Sequence, residues 1–122
     1  MLVVQDDVVI PAVPVKINLV GEGGEAQVVE ISADIQLYPL EEYERHAAAP
    51  KAETMAGAQG ELAANLYRFV RGWHGVVDAN KQPIPFSEAN FKQVLHSPTG
   101  PALSRALWGK VHQIHLQEPV KN

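Results

Sequence analysis

The histidines near the C-terminal end have the first claim to chemistry. His112 and His115 stand three residues apart, with Glu118 a further three along, so on a helix all three fall along one side. A metal site needs such a pair plus a closed shell of further ligands. The chain has no cysteine, and no other carboxylate stands at matching spacing. The series therefore reads as a helix surface, and no metal or other cofactor is expected. His74, between Trp73 and Gly75, could act as a general base, but no serine or acid stands at motif spacing from it. Gly21-x-Gly23-Gly24 lacks the Lys-Ser/Thr of a phosphate loop and the following helix of a dinucleotide site. A strand pattern follows it instead, which makes it a turn. Asp6-Asp7 and Glu41-Glu42 are ordinary solvated acidic pairs. No catalytic residue is assigned, and enzymatic activity is not expected.

The elements that must carry these residues follow from periodicity. Val13, Val15, Ile17 and Leu19 alternate with Pro14, Lys16, Asn18 and Val20, the period-two mark of a half-buried strand. Pro11 and Pro14 remove two ladder donors, which places this strand at a sheet edge or makes its first half irregular. After the glycine turn, Val29, Ile31, Ala33, Ile35 and Leu37 alternate with polar residues, which completes a hairpin. Val3, Val4, Val8, Val9 and Ile10 offer an additional strand. Leu40 to Ala49 predicts a helix stopped by Pro50, and residues 51–60, small and polar with two glycines, predict a mobile loop.

Leu62, Leu66, Phe69, Val70 and Trp73 recur at helical spacing, predicting one helix closed by Gly72 or Gly75. Asp78-Ala79-Asn80 is turn chemistry, and the prolines around Ile84 hold the chain extended. Ser87 is a good N-cap for a helix that buries Phe91, Val94 and Leu95. Phe86 and Phe91 occupy the two positions of a hydrophobic staple. Trp73, Phe86 and Phe91 are thus the structural anchors of the central unit. Pro101 opens a last helix with Leu103, Ala106, Leu107, Val111 and Ile114 facing inward, and Val120-Lys121-Asn122 is expected to fray. Trp108 stands one step off that stripe, on the side of His112 and His115. A tryptophan with one wet edge is enriched at interfaces. Trp108, Val111, His112 and His115 are therefore the candidate partner-binding residues, beside the alternative that Trp108 closes the rim of its own core.

Residues 71–95, Arg71-Gly72-Trp73-His74-Gly75-Val76-Val77-Asp78, a polar turn, Pro83-Ile84-Pro85-Phe86-Ser87 and then Glu88 to Leu95, carry a resemblance. The stretch resembles the small tail assembly chaperones of long-tailed bacteriophages and prophages. The match is specific over those residues and coarse over the rest, and it concerns shape rather than an active site. What it implies is a cytoplasmic assembly factor in the host bacterial cell, bound to the tape measure protein, the long helical polypeptide that sets tail length. An extended amphipathic helix aggregates unless its apolar stripe is covered, typically by a groove. Two other readings follow: a structural tail component such as a tube or joining protein, and a small metal-binding protein or enzyme built around the histidines.

Bulk properties bound these readings. A chain of 122 residues is sufficient for one domain with its own core. With 46% hydrophobic and 20% charged residues it is ordinary for a globular protein, which excludes global disorder. No apolar run approaches the roughly 20 residues that span a bilayer, and residues 1–7 lack the basic start of a signal peptide. Neither a membrane nor a nucleic-acid partner is expected, because the basic residues are scattered singly. Residues 1–50 carry nine acids against two bases, and residues 51–122 carry eight bases against five acids. The expected architecture is α+β within a single domain, 1–122. An antiparallel hairpin or small sheet over 1–38 precedes a helical part of about four helices over 39–118. The hairpin is expected to support homo-oligomerisation, and the helical half to receive the partner helix.

Overall fold

The computed structural model describes residues 1–5 and 7–119, so the expectation of fraying at residues 120–122 lies outside the described residues. Strand β1, Val8–Val20, and strand β2, Ala26–Leu37, pair antiparallel around a single 3-10 turn at Glu22–Gly24. The register sets Val13 opposite Ala33, Val15 opposite Ile31 and Ile17 opposite Val29, so the alternating apolar positions share one face. The prolines leave their mark between Ile10 and Val13, where the register shifts. Ala12 adopts φ +52° there, and its N–H donates to Asp34 Oδ1 at 2.9 Å. As the prolines require, β1 is an edge strand of the sheet order β1-β2-β3. Val8, Val9 and Ile10 begin β1 itself, while Val3 and Val4 are exposed and outside any strand, so no additional strand forms from them.

Helix α1 is Leu40–His46, shorter than expected, with the Ala47 N–H closing onto the Tyr43 carbonyl. Two expectations then fail together. The segment 51–60 is not a loop throughout: helix α2 runs Met55–Tyr67, started by Thr54, whose hydroxyl accepts from the Gly57 N–H. Nor does the helix continue to Trp73. The Phe69 N–H closes onto Leu66, and Val70–His74 forms strand β3, antiparallel to β2 with Ala33 opposite Trp73. The competing demand is that of β2, whose second edge carries backbone donors and acceptors that must be paired. The Gln36 N–H donates to the Phe69 carbonyl at 2.7 Å, and β3 satisfies the rest. Trp73 thus reaches the core from a strand rather than from a helix face.

Gly75 at φ +95° turns the chain out of β3. The Ile84 N–H returns to the Val76 carbonyl, and Asp78 Oδ1 accepts from the Asn80 and Gln82 amides, which fixes the intervening turn. Helix α3, Glu88–Leu95, is capped as expected by Ser87, which accepts from the Asn90 N–H at 3.1 Å. Helix α4, Gly100–His115, has Pro101 in its first turn. Among the described residues the fold is α+β, a three-stranded antiparallel sheet with four helices. Helix α4 lies against β1 and, less extensively, β2; α2 and α3 pack on each other and on α4. One continuous core joins Val13, Val15, Ile31, Ala33 and Ile35 of the hairpin to Leu66, Phe69, Phe91, Leu95 and Leu107.

Candidate functional site

The candidate site lies at the turn-proximal half of the hairpin. Its inward positions, Ile17 and Leu19 on β1 and Val29 and Ile31 on β2, form the floor of a cleft. Val76, Val77 and Ile84 of the turn after β3 make one wall; Val94 of α3 and Leu103 of α4 make the other. The cavity measures about 570 Å³, inside the roughly 300–1,000 Å³ range of ligand sites. Its polar groups are Asn90, Gln93, Ser97 and Thr99, and none of its lining residues is charged. Such a lining desolvates an apolar group and gives no acid–base chemistry. A smaller depression of about 310 Å³ shares Leu19 and Thr99 with it and is bordered by Pro101, Ala102 and Arg105.

The wall is held rigidly. The Trp73 indole N–H donates to the Ile84 carbonyl at 2.8 Å, and Trp73 itself is 7% exposed. Phe86 meets Trp73 edge-on at 5.2 Å and Phe91 at 5.8 Å, and the Tyr67 ring stacks on it. Phe91 is buried and Phe86 half-buried. The three anchors thus position one wall of the cleft.

The C-terminal histidines lie elsewhere, between α1 and α4. His115 is 7% exposed. The Tyr38 N–H donates to its Nε2 at 3.1 Å, and its Nδ1 lies 2.7 Å from the Val111 carbonyl. An acceptor at Nε2 requires the Nδ1–H tautomer of neutral imidazole. The Tyr43 ring stacks on His115 at 4.4 Å, and the Tyr43 hydroxyl bonds His112 Nδ1. His112 stacks in turn on Trp108, and Trp108 meets Phe69 edge-on. Burial lowers the pKa of both histidines below the ordinary value; for His115 the proximity of His112 adds to this, against the raising effect of the Val111 hydrogen bond. Burial, with the charge of Glu44, raises that of Tyr43.

The four residues taken from the sequence as a partner surface therefore divide. Val111 and His115 are core residues and cannot present a surface, because α4 turns that side toward the sheet and α1. His112 and Trp108 are half-buried, and the Trp108 indole N–H is buried with no hydrogen-bond partner among the described residues. Glu118 is exposed, and among the described residues no three metal-binding side chains converge. His74 is exposed at the end of β3, opposite Ser32. What sequence reasoning missed is the cleft. Its signal was present in Val76, Val77 and Ile84, three apolar residues around a polar turn and too many for a simple connection. Comparison with protein-family models, curated proteins and solved structures finds no match for this chain.

Proposed function

We propose that the protein is a binding protein rather than an enzyme, and that its cleft receives the apolar face of a helical polypeptide. The observation that carries this reading is the uncharged, aliphatic cleft between the hairpin floor, the Val76–Ile84 turn and α3. Apolar side chains at positions i, i+4 and i+7 of a partner helix match such a cleft in the helix-in-groove manner. Asn90, Gln93, Ser97 and Thr99 offer hydrogen bonds at its edge. Together with the resemblance of residues 71–95 to tail assembly chaperones, this makes the tape measure protein of a long-tailed phage the proposed partner and transient coverage of its helices the proposed activity. Val77 lines the cleft yet is 48% exposed, so a charge there reaches the cleft without entering the core. Val77→Asp is expected to fold normally and to lose capture of a co-expressed tape-measure fragment. Undiminished capture by the folded variant would refute the assignment.

A further inference from the structure

The chain leaves a second apolar feature without cover. Leu2, Val3 and Val4 are exposed, Val4 to 82%, and lie outside the core cluster of their own protomer. They cannot fill the cleft of the chain that carries them. The cleft floor at Ile17 lies nine residues along β1 from Val8, roughly 30 Å at about 3.3 Å per strand residue. Val4 is tethered four residues before Val8, which allows at most about 14 Å. A second copy meets no such restriction.

We propose that the segment Leu2-Val3-Val4 of one copy occupies the cleft of a neighbouring copy, a head-to-tail contact that guards the cleft until a partner helix displaces it. This rests on reading the cleft as a docking site for an apolar segment. Charge supports the pairing: Asp6 carries a negative charge two residues after Val4 in the sequence, and Arg105 borders the depression that shares Leu19 and Thr99 with the cleft. In an extended segment Leu2 and Val4 point the same way, so both side chains enter together. The contact area sets the strength. Three aliphatic residues bury far less than the roughly 1,200 Å² at the low end of stable interfaces. The association is therefore weak and concentration-dependent, as a displaceable guard must be. Because donor and acceptor surfaces differ, the contact is heterologous and propagates from copy to copy unless a ring closes.

The test uses the full chain and a variant carrying Leu2→Asp and Val4→Asp, which alter exposed residues. Sedimentation equilibrium should show the mass of the parent rising with concentration and the variant remaining at one chain. A peptide of residues 1–7, titrated onto the variant, should shift the amide resonances of Val77, Val94 and Thr99. Arg105→Glu should weaken that binding at least fivefold. Equal association of parent and variant, a parent that stays monomeric at millimolar concentration, or peptide shifts confined to another surface would each overturn the proposal. So would a small apolar molecule found seated in the cleft and excluding the peptide. The two readings fail separately: peptide binding without capture of any tape-measure fragment leaves this contact standing and removes the proposed function. Capture that persists while the peptide does not bind does the reverse.

Discussion

At the scale of single residues, His115 separates a surface from a core most sharply. Spacing alone makes it a rim residue whose loss is negligible. Its two ring nitrogens instead join Tyr38 to Val111 inside the protein. His115→Ala should cost about 2–4 kcal/mol in denaturant unfolding, because it opens a cavity and leaves the Tyr38 N–H without its acceptor. A loss below about 0.5 kcal/mol would return the residue to the surface class. Its titration gives a further prediction. The folded state holds His115 below its ordinary pKa of 6.5, so near and below that pH the unfolded chain binds more protons than the folded one. Stability contributed by the neutral ring is complete above pH 6.5 and declines as pH falls from there through the folded pKa. Unfolding midpoints at pH 7.5 and 5.5 should differ accordingly, and His115→Gln should reduce the difference. Phe86, half-buried against Tyr67, Trp73 and Phe91, should cost about 2 kcal/mol on truncation to alanine, below the roughly 3–5 of a fully buried aromatic.

Among the elements, the connections decide where sequence is readable. The hairpin was legible because Val13, Val15 and Ile17 against Val29, Ile31 and Ala33 keep strict alternation, and the Ser87 cap because its chemistry is local. The span Leu62–Trp73 was not. Leu66, Phe69, Val70 and Trp73 satisfy a helical stripe, yet the unpaired edge of β2 claims Val70–His74, a demand no local window contains. Gly57 and Gly60 disguised the start of α2 as a loop in the same way, since packing of Ala63 and Leu66 outweighs their weak propensity. Two substitutions probe these connections. Gly100 begins α4 so close to α3 that an added Cβ would sit 1.9 Å from the Leu95 carbonyl oxygen. Gly100→Ala should therefore cost at least about 2 kcal/mol through displaced backbone. Ala12, at φ +52° in the β1 irregularity, should tolerate or gain from Ala12→Gly. Relief of roughly 1–2 kcal/mol of left-handed strain outweighs about 0.4–1 kcal/mol of added unfolded-state entropy.

For the whole molecule, the continuity of the core across hairpin and helices predicts one cooperative transition. Near-ultraviolet signals from Trp73 and Trp108 should vanish at the same denaturant concentration as the far-ultraviolet signal; separated midpoints would mean that the hairpin and the helices fold independently. The order of elements also has a consequence for biosynthesis. The inward face of β1 and β2 is closed chiefly by α4, the last helix. Between Leu37 and His115 lie 78 residues of synthesis. At roughly 5–20 residues per second this takes about 4–16 s. Throughout that interval the emerging hairpin holds a row of valine and isoleucine without its main cover. Each newly made copy is thus briefly vulnerable in the same way as the bare helices it is proposed to cover.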